Sequence, residues 1–292
     1  MLKILFSDID GTIAHYPKHF STFGEILSED ESSMKAVYLD KITFKKRVCN
    51  ILKSATSGNA YVSLKTINLI EQLKQKGVIF VMISGVRKST FFERIPFLPK
   101  ADVWIMENGG RIYVNEILDK KWNQRFFEVT GDIETDLPPE KRIGILWDFY
   151  RELIGRGWVI DTNSYSANFR ISLKQNPDKM QEDIDKLQKE VPPLITTAHN
   201  LGKADFYPEI SGKGNAVKYI LEKFNIRIEE SAACMDDDND LPMTSAVGKV
   251  YLPGITSESV REALKRHSDW VVSKNKGILG TEEVLEKILN EL

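Results

Sequence analysis

Two aspartates, Asp8 and Asp10, stand two residues apart directly after a short apolar run, Ile4 to Phe6. Carboxylates at this spacing can bind a divalent cation, and one can act as a nucleophile while the other transfers protons. Gly11 follows them and lets the backbone turn sharply. Asp-Gly pairs are also common in ordinary turns, so this stretch alone leaves a purely structural role open.

A second acidic stretch, 236–240, contains four aspartates and Asn239, and it follows the apolar residues Ala232 to Met235. Its carboxylates repel one another unless a cation offsets them, and their hard oxygen atoms suit Mg²⁺. An EF-hand is excluded because the loop lacks the required glycine and the distal glutamate. A solvated acidic loop is the alternative.

Two further stretches carry groups that can hold an anion. Ser84 and Gly85 follow an apolar run and offer a hydroxyl and backbone N–H groups, although such a pair is common without any ligand. Lys213 lies between two glycines at the start of a predicted helix, where the helix dipole disfavours a cation unless an anion is bound. An exposed lysine without a ligand is the alternative. A Walker A loop is excluded because its upstream glycine and following Ser or Thr are missing.

Taken together, the four stretches supply an acid pair, a hydroxyl, a lysine and an acid cluster, which are the groups that phosphoryl transfer requires. Each stretch follows a predicted strand or opens a predicted helix. Such positions meet at the carboxyl edge of an open α/β sheet, where ligands bind in this architecture.

The elements that position these stretches alternate between strand and helix. The sequence predicts strands at 4–6, 78–83, 103–106, 232–235, 249–252 and 270–272, and helices at 63–76, 214–224, 257–265 and 281–289. This order predicts an α/β core with a Rossmann-like, doubly wound, mostly parallel sheet.

A different pattern interrupts the core. Helix, strand, strand occurs twice, with helices predicted at 138–153 and from 176–178 to about 191, and strands within 158–174 and 194–207. This pattern predicts an inserted α+β cap. The sequence thus predicts a cap domain at 112–204 between two segments of the core, 1–111 and 205–292. Residues 14–62 are predicted as an insertion in the core, partly loop, including a stretch of Ser, Gly and Asn at 54–59. A surface excursion and a role over the active site are both open for this insertion.

The composition of the chain argues against several classes of protein. The 40 basic and 42 acidic residues give a net charge of -2, without the basic footprint of a nucleic-acid binder. Cys49 and Cys234 permit one disulfide on paper, but so few cysteines favour a reducing compartment. No apolar run reaches the roughly 18 residues of a membrane span, and the N-terminal run is too short for a signal peptide. We therefore expect a cytoplasmic protein without nucleic-acid or membrane partners, and the sequence carries no indication of oligomeric state.

On these residues the chain resembles the haloacid dehalogenase (HAD) superfamily of Mg²⁺-dependent phosphohydrolases. Within it, the chain is similar to the Cof-type and sucrose-phosphatase-like branch, which has an inserted α+β (C2-type) cap. The matching residues are Asp8–Thr12, Ser84-Gly85, Glu107–Gly110, Lys213-Gly214, Asp236 and Asn239-Asp240. The resemblance covers roughly 1–13, 63–111 and 205–292, and the cap matches only in element order.

The resemblance implies roles for these residues. Asp8 would attack phosphorus and form an aspartyl-phosphate, and Asp10 would protonate the leaving alkoxide and then activate water. The implied phosphate-binding residues are Ser84, Gly85, Lys213 and Asn239. The implied Mg²⁺ ligands are Asp8, the backbone carbonyl of Asp10 and Asp236, with Asp240 in support. Gly109 and Gly110 would form a hinge at the cap junction.

Three features depart from the family pattern. Met235 stands where the family usually has Gly, Val86 intervenes before Arg87, and residues 14–62 exceed the usual connection. None of these departures removes a chemical group.

The expected function is hydrolysis of small phosphate monoesters, with sugar phosphates among the candidate substrates. An intact Asp10 favours hydrolysis, because an aspartyl-phosphate needs a base to activate water. A phosphomutase or phosphotransferase of the same fold, and a catalytically idle phosphate-binding module, are the alternatives. Candidates for contact with the leaving group, each with a packing or surface role as the alternative, are Trp122, Arg125, Arg156, Trp158, Tyr165 and Arg170.

Overall fold

A computed structural model describes residues 1–53, 58–200 and 202–292. The strands of these residues are, in chain order, β1 (Ile4–Ser7), β2 (Gly24–Asp30), β3 (Lys35–Asp40), β4 (Lys46–Leu52), β5 (Ala60–Ser63), β6 (Ile79–Ile83), β7 (Val103–Met106), β8 (Arg111–Val114), β9 (Ile117–Leu118), β10 (Ile160–Asp161), β11 (Phe169–Ser172), β12 (Ile195–Asn200), β13 (Lys203–Pro208), β14 (Ser231–Cys234), β15 (Lys249–Leu252) and β16 (Val271–Val272). The helices are α1 (Pro17–Phe20), α2 (Leu64–Gln75), α3 (Lys88–Arg94), α4 (Lys120–Gln124), α5 (Phe127–Thr130), α6 (Ile145–Gly155), α7 (Gln181–Lys189), α8 (Lys213–Phe224), α9 (Leu241–Thr244), α10 (Glu258–Leu264) and α11 (Gly277–Asn290). Short 3₁₀ turns lie at 95–97, 107–109, 139–141, 228–230 and 238–240.

An eight-stranded sheet with the order β16-β15-β14-β1-β6-β7-β8-β9 forms the core. Its first six strands are parallel, and β8 and β9 add antiparallel at one edge. The predicted α/β fold with a mostly parallel sheet is confirmed.

Helices cover both faces of this sheet, which is why its parallel strands are apolar throughout. Ile4 and Phe6 of β1 pack in one buried cluster with Val217 of α8. Leu5, on the opposite face, packs in a second cluster with Leu69 of α2 and Leu285 of α11. The sheet therefore holds the carboxyl ends of β1, β6 and β14 at one rigid edge.

A second sheet, β2-β3-β4-β5, is built almost entirely from the insertion that the sequence predicts at 14–62. All its pairings are antiparallel between consecutive strands. The sequence predicts this insertion as partly loop, and the structure instead gives most of it a regular meander. Tyr38 and Ile51 are buried with Phe20 and with Ile278 of α11, so the sheet packs onto the core. Residues 54–57 of the predicted stretch of Ser, Gly and Asn lie outside the described residues.

The third sheet, β10-β11-β13-β12, is antiparallel and forms the cap. Its apolar face packs against α6 and α7 through side chains such as Phe149, Phe169 and Phe206. The strands β8 and β9 fall within or at the edge of the segment predicted as the cap, 112–204, but they belong to the large sheet. The predicted domain boundaries themselves stay a prediction.

Two predicted helices differ from the structure. The helix predicted at 138–153 is a 3₁₀ turn and α6, separated by Gly144 with φ +113°. The helix predicted to start at 176–178 begins only at Gln181. Asn176 does not cap a helix, because its side chain accepts from the N–H of Val159 and donates to the carbonyl oxygen of Val159.

Both cysteines are free and buried, so the disulfide that the sequence permits does not form. Within the described ranges, no helix combines the length and the apolar character needed to cross a bilayer.

Candidate active site

The carboxyl ends of β1 and β14 and the start of α8 bring four charged side chains together. Lys213 Nζ donates to Asp8 Oδ1 at 2.7 Å and to Asp240 Oδ1 at 2.5 Å. Asn239 Oδ1 lies 3.4 Å from the same nitrogen. Asp8 and Asp240 are 5% and 0% exposed and Lys213 is 3% exposed, so these charges are buried. We call Asp8, Lys213, Asp236 and Asp240 the floor of the site.

Asp236 is held against the turn that follows β1. Thr12 Oγ1 donates to its Oδ1 at 2.6 Å, and Thr256 Oγ1 donates to its Oδ2 at 2.8 Å. Gly11 has φ +102°, and a Cβ atom there would lie 2.2 Å from Asp236 Oδ2. Only glycine therefore fits at position 11, since a side chain would displace the carboxylate.

The floor carries more negative than positive charge. Burial raises the pKa of Asp236 to about 8, and the nearby charge of Asp240 adds to this rise. Burial and Asp240 also raise the pKa of Asp8, against the opposing charge of Lys213. Burial disfavours the ammonium of Lys213, but Asp240 and Asp8 outweigh it and raise the lysine pKa. One lysine thus faces three buried carboxylates, an arrangement that a further cation would stabilise.

The floor has the donor set of a magnesium site. Asp8, Asp236 and Asp240 each place a carboxylate oxygen within 4.8 Å of the other two. Several carboxylate oxygens from one buried cluster suit Mg²⁺, which prefers hard oxygen ligands. The residues present therefore fit the ion. Asp237 Oδ1 accepts from the N–H of Asp238 at 2.8 Å.

Ser84 and Gly85 lie at the same edge, directly after β6, which pairs with β1. Ser84 is buried, and its Oγ accepts from the N–H of Val86 at 3.3 Å. A Cβ atom on Gly85 would lie 2.6 Å from Asn108 Oδ1. Because Gly85 has no side chain, Asn108 can approach its backbone closely. Asn108 lies in the stretch 107–110, one of those that carry the resemblance described above.

The cap junction is also a close backbone contact. Gly109 has φ +90°, and a Cβ atom there would lie 2.8 Å from the carbonyl oxygen of Gly212. The N–H of Gly212 donates to the carbonyl of Asn108 at 2.7 Å. The two segments that connect the core to the cap, at Gly109 and at Gly212, thus pack against each other. Lys213 follows directly after the second segment.

Asp10 has partners that the sequence did not reveal. Tyr16 Oη donates to its Oδ1 at 2.7 Å, and Arg94 Nη1 donates to its Oδ1 at 2.9 Å and its Oδ2 at 3.2 Å. Arg94 lies on α3 and Tyr16 precedes α1, so only tertiary packing joins them to Asp10. No local motif marks either residue.

The polar face of the cap sheet contacts the core through Asn108 and Arg87. Arg170 makes two hydrogen bonds to Asp205, at 2.6 and 2.7 Å, and Asn108 Nδ2 lies 3.3 Å from Asp205 Oδ2. Asp161 forms an ion pair with Arg87 of the core. Tyr207 shares this face with Asp205, since alternate residues of a strand point to the same side. We call Asp161, Arg170, Asp205 and Tyr207 the roof.

The candidates for leaving-group contact separate into two sets. Arg170 is part of the roof, and Tyr165 lies beside it, with the guanidinium groups of Arg87 and Arg170 over the Tyr165 ring. The other four make contacts within the fold: Trp122 donates to the carbonyl of Gly109, Arg125 lies over Trp122, Arg156 pairs with Glu152 and Glu190, and Trp158 contacts Lys179.

A cavity of about 350 Å³ adjoins the floor. Its lining includes Gly11, His19 and Thr256. Solvent-sized molecules can therefore reach the neighbourhood of Asp236 from the side of α1.

A sequence model of the haloacid dehalogenase-like hydrolase family matches residues 159–280, which include β13, Lys213, Asp236 and Asp240. The whole chain also superposes on the sucrose-phosphatase from Synechocystis, solved with sucrose and phosphate. The TM-score is 0.63 at 16% identity, over 99% of this chain and 98% of that one. The family model covers less than half of this chain, and the chain is similar to the haloacid dehalogenase-like hydrolases.

Two curated relatives of this chain carry phosphatase names. The kanosamine-6-phosphate phosphatase of Bacillus subtilis is 27% identical over 175 residues, which are 56% of this chain and 60% of the relative. The phosphoglycolate phosphatase of Staphylothermus marinus is 24% identical over 236 residues, 78% of this chain and 90% of that relative. The match to the first therefore spans less than two thirds of its length. The predicted family is confirmed.

Proposed function

We propose that this HAD hydrolase is a Mg²⁺-dependent phosphatase that cleaves small phosphate monoesters through an aspartyl-phosphate on Asp8. The observation that carries the proposal is the buried contact of Lys213 with Asp8 and Asp240 beside Asp236. A nucleophile, a cation for phosphoryl oxygens and a carboxylate cluster for a metal thus share one small space.

In the proposed first step, a carboxylate oxygen of Asp8 attacks phosphorus and the bond from phosphorus to the ester oxygen breaks. Asp10 gives its proton to the leaving oxygen, so the alcohol departs neutral. In the second step, Asp10 takes a proton from water, the water oxygen attacks phosphorus, and the bond to Asp8 breaks. Inorganic phosphate leaves and both aspartates return to their starting state.

The other residues of the floor act on charge and position. Lys213 would neutralise phosphoryl oxygens, and Ser84, Gly85 and Asn239 would donate hydrogen bonds from the rim. Asp8, Asp236 and the backbone carbonyl of Asp10 would hold Mg²⁺, with the Asp240 carboxylate close enough to join them. When bound, the ion supplies positive charge that lets an anionic nucleophile approach an anionic ester.

The leaving group would lie between the floor and the roof. The phosphatase names of the two curated relatives, and the sucrose bound to the Synechocystis enzyme, concern small molecules. These names support a small phosphorylated substrate for this chain as well. Sugar phosphates remain within the proposed substrate class, and we propose a cytoplasmic location.

The test is turnover of p-nitrophenyl phosphate and a panel of alkyl phosphates by the purified chain, in MgCl₂ and in EDTA. We expect turnover only with Mg²⁺, and none with Asp8→Asn. Asp148→Asn serves as the matched control, because this carboxylate lies exposed on α6. Turnover that survives Asp8→Asn or EDTA would contradict the proposal. A requirement for a bisphosphate activator would indicate the phosphomutase alternative, and no turnover at all would indicate the idle module.

A further inference from the structure

The insertion at 14–62 has no part in the reaction as proposed, yet it reaches Asp10. Tyr16, near its start, donates to Asp10 Oδ1 at 2.7 Å. Arg94 Nη2 donates to the same tyrosine oxygen at 2.9 Å, while Arg94 Nη1 contacts both carboxylate oxygens of Asp10. The three side chains form a closed triangle of hydrogen bonds.

The far side of this triangle is anchored on the inserted sheet. Arg94 Nε donates to the carbonyl of Lys53, just past β4, at 3.2 Å. Asn50, within β4, donates to the carbonyl of Phe97 at 2.7 Å. The insertion therefore contacts the end of α3 and the turn that follows it. These hydrogen bonds fix the position of the Arg94 guanidinium.

Burial makes this arrangement specific. Arg94 is 3% exposed, and an unpaired buried cation is costly. Its planar group presents donors in a fixed fork, so one orientation satisfies Asp10, Tyr16 and the Lys53 carbonyl together. The side chain of Asp10 remains 27% exposed. Arg94 and Tyr16 thus fix the Asp10 carboxylate and leave part of it accessible to a substrate.

We infer that Arg94, together with Tyr16 and the inserted sheet, is the device that aims the Asp10 carboxylate at the leaving group. Arg94 is a positioning residue, since it acts on the substrate only through Asp10. The inference rests on the proposed function, and it gives the long insertion a role in catalysis.

The experiment compares two kinds of ester by kcat/KM, which reports formation of the phosphoenzyme. An alkoxide leaving group needs a proton from Asp10, whereas p-nitrophenolate leaves without one. With Arg94→Ala we expect kcat/KM for an alkyl phosphate to fall about 100-fold, at the low end of what positioned proton transfer contributes. The value for p-nitrophenyl phosphate should fall far less. Added guanidinium chloride should restore part of the loss for the alkyl ester.

Matched variants separate positioning from general damage. Arg47→Ala removes another arginine contact between the insertion and the core, the 2.8 Å pair with Glu282, and it should not change the ratio of the two kcat/KM values. Tyr16→Phe removes one hydrogen bond to Asp10 and should lower the alkyl value less than Arg94→Ala does. If Arg94→Ala does not fold, Arg94→Lys replaces it. Lysine keeps the charge but cannot contact Asp10 and Tyr16 in the same fork, so the alkyl-selective loss should persist.

Equal losses for both esters, without rescue by guanidinium, would overturn the inference. So would an unchanged ratio in Arg94→Lys. Loss of the proposed function itself has a different signature, because it would appear as turnover that survives Asp8→Asn.

Discussion

The floor of the active site sets three carboxylates against one lysine, whereas each acid of the roof meets an arginine. In the floor, Asp8 and Asp240 share Lys213, and a carboxylate oxygen of Asp236 lies within 4.8 Å of theirs. In the roof, Asp205 pairs with Arg170, and Asp161 pairs with Arg87 of the core. We infer two tasks from this difference: the proposed Mg²⁺ would offset the charge of the floor, and the ion pairs of the roof would hold the cap against the core.

The largest expected effect falls on the floor. Asp8→Asn keeps the size of the side chain but removes the nucleophile, so kcat should drop by at least about 10³-fold for every ester. Steady-state assays with an aryl and an alkyl phosphate measure this. For comparison, Asp205→Asn in the roof should alter the preference between esters without abolishing turnover. A roof variant that stops turnover of all esters would break the distinction between floor and roof.

This contrast also explains which parts of the site could be predicted. Asp8, Ser84, Lys213 and Asp236 closely follow strands or open a helix, so sequence order places them at one sheet edge. The types of these residues then predicted the chemistry of the shared site. The structure brings Asp8, Lys213 and Asp236 together.

The partners of these residues were not predictable by the same reasoning. Arg94 shares a buried face of α3 with Phe91, and nothing local distinguishes it from a surface arginine. Thr256 reaches Asp236 from the loop after β15. Such contacts arise only when distant elements pack. The sheet of 24–63 was missed for a related reason: β3 has apolar residues on both of its faces, so no clear alternation marks it as a half-buried strand.

The next largest effect concerns stabilisation by Mg²⁺, which should depend on the floor and not on the roof. Mg²⁺ at about 100 times its dissociation constant should stabilise the protein by about 2.7 kcal/mol. This corresponds to a rise in Tm of roughly 5 °C for a chain of this size. Asp236→Asn should abolish the rise, because it removes a ligand, while Asp161→Asn in the roof should leave it intact. Thermal unfolding in MgCl₂ and in EDTA measures the difference. A Mg²⁺-dependent rise that persists in Asp236→Asn would place the ion elsewhere.

A smaller effect is expected from the pair that joins the roof to the core. Arg87 and Asp161 are partly buried, and Arg87 also lies 5.0 Å from the centre of the Tyr165 ring. Arg87→Met should raise KM about 5-fold with little change in kcat, which corresponds to about 1 kcal/mol for such a pair. Asp161→Asn should have the same effect, and the double variant should add little to it. A fall in kcat at constant KM would instead assign Arg87 to the chemistry.

The last effect concerns stability and not turnover, and it comes from a buried histidine outside the floor and the roof. His15 lies 2.8 Å from Thr281 Oγ1, and burial lowers its pKa to about 3. An unfolded histidine binds a proton near pH 6.5, whereas folded His15 stays neutral. Its contribution to stability is therefore full above pH 6.5 and is lost as the pH falls from 6.5 toward 3, by up to about 1.4 kcal/mol per pH unit.

His15→Gln should flatten the decline in unfolding free energy between pH 6.5 and pH 5, as measured by urea unfolding. His267→Gln is the control, since His267 is half exposed. An unchanged slope in His15→Gln would show that this histidine is not held neutral. Neither variant should change the preference between esters, because neither residue lies in the floor or the roof.

We propose that Asp8 receives the phosphoryl group during turnover. Rapid acid quenching during turnover of a phosphate ester in MgCl₂, followed by peptide mass spectrometry, tests it most directly. We expect one phosphoryl group on the peptide that contains Asp8, and we expect it to be absent in Asp8→Asn and in EDTA. A phosphoryl group on another residue, or full turnover with no phosphorylated peptide in an otherwise sensitive quench, would contradict it.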